Sequence, residues 1–323
     1  MFTKKQKKQI ATDLFEVAIF QEKAVKFLEE LVSNNDSQKL YLEIVLYLST
    51  VRNLFLIESA EQEKLSKSVI AFFGMSVGSH AATTYMLQAK PKKIKIADPD
   101  YISSTNLNRL KLGVNTISKY KVNEIKKQLL SLNPLANIEI LKSTLHEDME
   151  DFCKKSQTDL IVDAVDDLSS KLKIRQLARE LKLPVIMATD VGENIFIDIE
   201  RHDLAGDTPF FHGAVKDIES IDLKNISIKR RKQLIIKILG FKDHSLRMLY
   251  SLNMIGKKIN TWPQLASTAA IAGGLTTKAI TKIILGKNIP SGRYYFSTDK
   301  VFNDVLTEKE KAELQSIKKI FKK

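Results

Sequence analysis

The residues with the clearest chemistry in this sequence form a glycine turn and the acid that follows it. Gly74, Ser76 and Gly78 lie in a short turn directly after the apolar run of residues 69–73. Glycine lets a backbone come close to a phosphate group, and the helix after such a turn presents unpaired N–H groups to an anion. Asp98 ends a second apolar run about 20 residues further on, where a carboxylate accepts hydrogen bonds from a ribose. The spacing therefore predicts a nucleotide-binding site.

A polar segment after Asp98 goes beyond what a dinucleotide requires. Asp100, Asn106 and Arg109 lie in it, and Lys121 follows near the start of a helical stretch. Arginine and lysine side chains neutralise the charge that develops on a phosphate group during its transfer. We therefore expect Arg109 and Lys121 both to bind the nucleotide and to act in catalysis.

A carboxylate for a metal ion is offered by residues 159–167, an apolar run that ends in acids. Asp166 is the candidate Mg²⁺ ligand and catalytic carboxylate, with Asp163 and Asp167 as alternatives, because Mg²⁺ prefers oxygen ligands from carboxylates and phosphates. Arg52 is a further candidate catalytic cation, ahead of the first strand. Hydride transfer needs neither a metal carboxylate nor these cations, so the residues favour ATP and Mg²⁺ as cofactors.

The elements that must position these residues alternate between strand and helix. Such alternation predicts an α/β protein with a Rossmann-like, doubly wound, mostly parallel sheet. Gly74, Asp98 and Asp166 all follow the carboxyl ends of predicted strands, where open α/β sheets bind their ligands. We expect three parts: an N-terminal helical extension (1–60), a nucleotide-binding α/β core (61–200), and a C-terminal α+β part that completes the same fold and carries the substrate and dimer region (201–323).

Local signals predict individual boundaries. We expect a helix over residues 118–132, a strand over residues 184–188 and a charged amphipathic helix over residues 307–323. A long apolar helix is predicted to start with Thr261 as its cap and Pro263 in its first turn.

Composition is that of a globular protein, with 44% hydrophobic and 28% charged residues. Because Cys153 is the single cysteine, we expect no structural zinc site and a reducing, cytoplasmic setting. The longest apolar tract, residues 265–285, contains Lys278 and Lys282 and predicts a buried helix rather than a membrane span. The net charge of +13 comes mostly from lysines scattered along helices, so nucleic acid is not an expected partner.

In order and spacing, these motifs resemble those of the ThiF/MoeB/HesA adenylyltransferases, which share their fold with ubiquitin-activating enzymes. The resemblance covers residues 50–200. Its most specific parts are the Asn-Leu-x-Arg signature at residues 106–109 and the acid-rich run of residues 159–167. Arg52 and Lys121 also match positions where the family keeps an arginine and a lysine. Through the family's acid pair and signature, the resemblance implies that Asp100 and Asn106 help bind the nucleotide.

The resemblance implies ATP-dependent activation of a carboxylate as an acyl-adenylate, with release of pyrophosphate. The substrate it implies is the C-terminus of a small ubiquitin-like protein or of a peptide. It also implies a homodimer in which Arg52 reaches the ATP site of the other subunit.

The sequence departs from the family pattern at several points. Leu110 replaces the glutamine that often follows the signature arginine, and the turn from Gly74 to Gly78 has fewer glycines than usual. The paired Cys-x-x-Cys zinc motifs are absent, as is any cysteine after Cys153. Two alternatives stay open: an NAD-binding oxidoreductase, and a nucleotide-binding pseudoenzyme or scaffold.

Overall fold

The N-terminal helices form a small unit with its own core. The computed structural model describes residues 2–33, 37–144, 146–155, 157–223, 225–240 and 245–301, and a few positions between 307 and 315. In it, helices α1 (Lys4–Ala18), α2 (Glu22–Val32) and α3 (Gln38–Leu48) pack on one another. Their apolar faces bury Ile10, Leu14, Ala24, Leu40 and Ile44.

A mixed sheet forms the centre of the protein. In the described part of the chain it has seven strands: β1 (Ile70–Phe73), β2 (Lys93–Ala97), β3 (Asn137–Leu141), β4 (Leu160–Asp163), β5 (Pro184–Val191), β6 (Asn194–Arg201) and β7 (Gly292–Phe296). Their order is β3-β2-β1-β4-β5-β6-β7. The first five strands are parallel, whereas β6 and β7 are antiparallel to their neighbours.

Helices cover both faces of this sheet. They are α4 (Ser59–Lys67), α5 (Val77–Ala89), α6 (Lys121–Leu132), α7 (His146–Lys154), α8 (Leu168–Glu180), α9 (Ile228–Leu239), α10 (Leu246–Met254), α11 (Ala266–Ile284) and the short α12 (Thr298–Val301). Alternate side chains of β1 point to opposite faces. Ile70 and Phe72 pack with residues of α5, α6 and α11, and Ala71 and Phe73 pack with residues of α7 and α8. The predicted α/β, doubly wound, mostly parallel fold is therefore confirmed.

Helix α11 lies directly against α5. A methyl group at Gly273 would lie 2.7 Å from the backbone carbonyl carbon of His80, so only glycine permits this approach. The apolar tract thus forms a helix that packs on the sheet layer. Among the described residues, none of the helices combines the length and apolar character needed to cross a membrane.

Three expected boundaries differ from the structure. Helix α6 begins at Lys121 rather than at residue 118, because Ser118 has a left-handed backbone (φ 65°) that a helix does not continue. Strand β5 runs on to Val191, because its hairpin with β6 extends the pairing to that residue. The helix predicted over residues 307–323 falls mostly outside the described residues.

Candidate functional site

The main pocket opens where the strand order reverses, between β1 and β4. In open α/β sheets, the crevice at such a point binds the ligand. The pocket has a volume of about 660 Å³, within the usual range for a small-molecule site. It brings together the predicted residues Ser76, Asp100, Asn106, Arg109, Lys121 and Asp166. Gly74, Gly78, Asp98 and Arg52 do not line it.

The glycine turn lies behind the pocket wall and packs against it. Gly74 has φ +87°, and a methyl group there would lie 2.3 Å from the carbonyl oxygen of Ala164. Its N–H donates to Ala97, and the N–H of Met75 donates to Asp98, so both turn amides are already bonded. Gly78 lies inside α5, where its added methyl would meet the Ala164 methyl at 3.2 Å. Both glycines therefore let the β1–α5 turn pack closely on the end of β4.

The first turn of α5 borders the pocket, which Ser76 and Val77 line. Ser76 is the N-cap residue of α5, but its side chain makes no cap hydrogen bond. The Ser76 hydroxyl instead accepts a hydrogen bond from Nε of Arg109 at 2.8 Å. Since a helix begins with unpaired N–H groups, the start of α5 can bind phosphate oxygens next to the Arg109 guanidinium.

Hydrogen bonds hold Arg109 in this position. Its Nη1 atom donates to the carbonyl of Thr105 at 3.2 Å and to Asn108 Oδ1 at 2.9 Å. Nε2 of His80 donates to the carbonyl oxygen of Arg109 at 2.7 Å. Burial lowers the pKa of His80 and favours the neutral ring, whereas the bond to Arg109 acts in the opposite direction. Burial also lowers the pKa of Arg109, yet an arginine remains charged at neutral pH.

Asn106 orders the loop that carries the arginine. Its side-chain Oδ1 accepts the N–H of Ser103 at 3.1 Å, and its carbonyl accepts the N–H of Arg109 at 3.1 Å. The Asn-Leu-x-Arg signature is therefore a compact turn that faces the pocket.

Lys121 is shared between two acids rather than free. Its Nζ atom lies 2.8 Å from Asp100 Oδ2 and 3.4 Å from Asp98 Oδ1. Asp98 is only 5% exposed, and its two oxygens accept the N–H groups of Met75 and Asp100. Burial raises the pKa of Asp98, and Lys121 acts in the opposite direction. The assignment of Asp98 to the ribose remains a prediction.

Of the three acids at the end of β4 and just after it, Asp166 alone lines the pocket. Asp167 caps α8 by accepting the N–H of Ser170 at 2.8 Å. Asp163 is fully buried and pairs with Arg175 at 2.6 Å. The exposed carboxylate of Asp166 fits Mg²⁺, which commonly binds one carboxylate together with phosphate oxygens and water.

A buried ionic network behind the pocket was not predicted. Arg175 is fully buried between Asp163, at 2.6 Å, and Glu200, at 2.7 Å, and its guanidinium stacks on Phe211. Lys171 also pairs with Asp163, at 3.1 Å, and lines the pocket. Burial acts to raise the pKa of Asp163, but Lys171 and Arg175 outweigh it and hold that pKa below its usual value. The network fixes the strand end that presents Asp166.

Asp190, at the end of β5, was also missed. It lines the pocket and is 3% exposed. Its Oδ1 accepts Nε2 of Gln264 at 3.1 Å, and its carbonyl accepts Nε1 of Trp262 at 3.4 Å. Burial raises the pKa of Asp190 to about 6. A polar residue at the end of a predicted strand was the signal that could have found it.

These contacts correct the helix predicted to start at Thr261. Helix α11 begins at Ala266, after Leu265 as its N-cap residue. The side chains of Trp262 and Gln264 reach Asp190 from a non-helical segment. Thr261 therefore lines the pocket and does not cap the helix.

Arg52 is exposed and does not line the pocket. It belongs to a 3-10 turn, Val51–Asn53, which Asn53 anchors through a 3.0 Å bond to the carbonyl of Gln88. Phe55 and Leu56 follow and are 86% and 83% exposed.

The sheet order and the pocket define a nucleotide-binding α/β protein, and comparison with known proteins supplies the family. The ThiF family model matches residues 49–316, so the chain belongs to the ThiF family. The protein named Uncharacterized protein MT1398 from Mycobacterium tuberculosis (strain CDC 1551 / Oshkosh) is 29% identical over 243 residues, which are 75% of this chain and 33% of that protein. The chain thus spans about a third of the length of that relative.

Two further comparisons agree with this family. The molybdopterin-synthase adenylyltransferase of Haemophilus influenzae (strain ATCC 51907 / DSM 11121 / KW20 / Rd) is 27% identical over 130 residues, covering 39% of this chain and 51% of that protein. The crystal structure of E. coli MccB with ATP superposes with a TM-score of 0.55 at 16% identity, covering 84% of this chain and 79% of that one. The likeness to MccB shows the shared fold.

Proposed function

We propose that this protein activates a carboxylate by transferring AMP to it from ATP. A carboxylate oxygen of the substrate attacks the α-phosphorus, the bond from that phosphorus to the bridging oxygen of the β-phosphate breaks, and pyrophosphate leaves. The product is an acyl-adenylate. The observation that carries this proposal is the position of Arg109, at the uncapped start of α5, in one pocket with Lys121 and the exposed Asp166.

The chain's own groups have separate roles in this reaction. The first turn of α5 and Arg109 bind the phosphates and neutralise charge on the α-phosphate. Asp100 lines the pocket and binds the ribose, while Lys121 holds Asp100 in place and faces the phosphates. The buried Asp98 positions Lys121 and accepts the N–H groups of Met75 and Asp100. Asn106 keeps the signature loop folded against the pocket. Because these groups are already positioned, catalysis consists mainly of orientation and charge stabilisation.

Asp166 would hold Mg²⁺ together with the phosphates. A bound Mg²⁺ supplies positive charge to the phosphate oxygens. Family membership supports the same assignment, since adenylyltransferases occur among the relatives.

For the substrate, we propose the C-terminal carboxylate of a small ubiquitin-like protein or of a peptide. Support comes from MccB, which shares the fold and has been crystallised with ATP and with AMPCPP and MccA.

We also propose a homodimer. The exposed Phe55 and Leu56 beside Arg52 offer an apolar surface to a second copy, through which Arg52 would reach the other ATP site.

Calorimetry with ATP, AMP and NAD, each with and without Mg²⁺, tests the nucleotide assignment. We expect ATP binding that depends on Mg²⁺ and that is lost in Asp166→Ala and Arg109→Ala. A preference for NAD, or unchanged ATP affinity in both variants, would overturn the proposal. Exchange of labelled pyrophosphate into ATP with glycine-terminated peptides then separates an enzyme from a scaffold, because only the enzyme reverses the adenylation step.

Mixing two inactive variants tests the dimer. Arg52→Ala and Asp166→Ala each disable both sites of a homodimer, whereas a mixed dimer regains one complete site. Statistical mixing should restore about a quarter of the wild-type exchange activity, because half of the dimers are mixed. A monomeric mass in light scattering, or no recovery after mixing, would contradict the dimer.

A further inference from the structure

We infer that Asp190 is a specificity residue that selects acids carrying an N–H donor, either an amide N–H or an ammonium group, next to the carboxylate that is activated. This inference rests on the proposed function, because it assigns the acyl end of the same pocket.

The order of the strands places Asp190 at that end. Asp100 follows β2, Ser76 follows β1, Asp166 follows β4, and Asp190 ends β5, so the four residues follow four neighbouring strands in sequence across the sheet. With the ribose at β2 and the phosphates at β1, the part of the substrate beyond the α-phosphate faces β4 and β5. Asp190 is therefore the carboxylate beside the acyl group.

Within the described part of the protein, only one of the two carboxylate oxygens of Asp190 accepts a hydrogen bond. Oδ1 accepts Gln264, while Oδ2 is buried and has no hydrogen-bond partner among the described residues. An asparagine could accept the same Gln264 bond without a buried charge. A buried carboxylate oxygen without a donor is costly, so folding alone gives no reason for an aspartate here.

The chemistry of an unpartnered carboxylate limits what it can recognise. An ionised carboxylate only accepts hydrogen bonds, so it favours N–H donors and repels a second acid group on the substrate. Arg109 and Asp166 are the charged groups that act on it across the pocket. Nε of Arg109 donates to Ser76 and not to Asp190, so Oδ2 of Asp190 keeps no donor among the described residues and can accept one from the substrate.

Stable mimics of the acyl-adenylate provide the test, because their nucleotide part brings each acyl group to the site. Calorimetry would compare 5′-O-sulfamoyladenosine carrying a glycyl group, an N-acetylglycyl group or a 4-oxopentanoyl group. The last compound replaces the amide N–H of N-acetylglycine by CH₂ with the same shape. We expect the wild type to bind at least one N–H compound about 10- to 100-fold more tightly than the 4-oxopentanoyl compound. The glycyl and acetylglycyl arms separate an ammonium donor from an amide donor.

Substitutions at position 190 then test whether Asp190 causes the preference for compounds with an N–H donor. Asp190→Asn and Asp190→Ala should bind all three compounds within about threefold of one another, whereas Lys111→Ala, at an exposed residue outside the pocket, should keep the preference. A thermal melt of Asp190→Asn at or above that of the wild type shows that the fold is intact. Equal binding of the three compounds by the wild type, or a preference that survives in Asp190→Ala, overturns this inference alone. If none of the three compounds binds, both this inference and the proposed adenylation are overturned.

Discussion

The Nε atom of Arg109 donates a 2.8 Å hydrogen bond to the hydroxyl oxygen of Ser76. This bond joins the polar loop after β2 to the residue that begins α5. The guanidinium is thereby held at the end of the helix where phosphate charge is stabilised. Nε and Nη1 of Arg109 donate hydrogen bonds at the same time. The site therefore depends on the planar guanidinium with its several N–H donors, and not on positive charge alone.

We therefore predict that Arg109→Lys loses most of the ATP affinity, although it keeps the charge. Lysine has a single nitrogen and cannot contact Ser76, Thr105 and a phosphate together. We expect a loss of about tenfold or more, and a smaller loss of about threefold for Ser76→Ala, which removes one acceptor. Calorimetry with MgATP measures both. Lys111→Ala, an exposed neighbour outside the pocket, is the control and should bind normally. Wild-type affinity in Arg109→Lys would contradict the geometric role.

Gly273 and the adjacent Gly274 should respond oppositely to alanine. A methyl group at Gly273 meets the backbone of His80 at 2.7 Å, whereas nothing lies within 4 Å of one at Gly274. We expect Gly273→Ala to lose about 1–3 kcal/mol of unfolding free energy through overpacking. Gly274→Ala should gain about 0.5–1 kcal/mol, because alanine favours the helix. Urea unfolding of the two variants measures the difference, and a matching response in both would contradict the close α5–α11 packing.

The buried Arg175 should be far more important for stability than Arg179, one helical turn later. Arg175→Met removes the arginine that joins Asp163 to Glu200 and leaves these buried acids only Lys171 and His202 as side-chain partners, and such a loss costs about 3–5 kcal/mol. Arg179 pairs with the half-exposed Glu219 and stacks on Phe210, so Arg179→Met should cost only about 1 kcal/mol. Denaturant unfolding at neutral pH compares them. Similar losses in the two variants would show that the buried network does not anchor the end of β4.

Asp190 should make the protein less stable at neutral pH than in mild acid. Burial raises its pKa from 3.8 to about 6 in the folded protein. The folded state therefore binds a proton more tightly than the unfolded state, and the penalty is full above pH 6 and relieved as the pH falls below it. Asp190→Asn does not titrate, so it should gain at most about 3 kcal/mol over the wild type at pH 7.5.

The advantage of Asp190→Asn should shrink by pH 5, where the wild-type carboxyl is mostly protonated. Urea unfolding of both proteins at pH 7.5 and pH 5 measures this change. An equal difference at the two pH values would mean that the carboxyl titrates normally. Arg109 and Asp166 act on the charge of Asp190 from across the pocket, so their effect on its pKa is part of the measured difference.

The sequence predicted where the pocket lies because strand ends are visible as apolar runs that stop at an acid or a glycine. Asp98 and Asp166 were placed at one edge of the sheet on this basis, and Asp100 and Arg109 followed from their position just after β2. Gly74 was recognised as a turn residue, but its close approach to Ala164 depends on a strand about 90 residues away and has no local signal.

Other parts of the site could not be read from sequence for specific reasons. Arg175 and Lys171 look like surface charges on a lysine-rich helix, and only the three-dimensional packing shows that they are buried. Thr261 followed by Trp262 and Pro263 has the pattern of a helix start, but hydrogen bonds to Asp190 hold the following residues outside the helix. Tertiary contacts outweigh local preference in such cases.

The pocket is assembled from residues far apart along the chain, from Ser76 to Gln264. A ribosome makes the parallel strands and the phosphate-binding turn early, but the wall that contains Trp262 and Gln264 emerges only shortly before α11. A growing chain thus carries the turn, the signature loop and Asp166 before it can enclose a nucleotide. Since α11 also covers α5, completion of the binding site and burial of that helix occur in the same late stage of synthesis. A captured nucleotide would therefore mark a chain in which every residue that lines the pocket has been made.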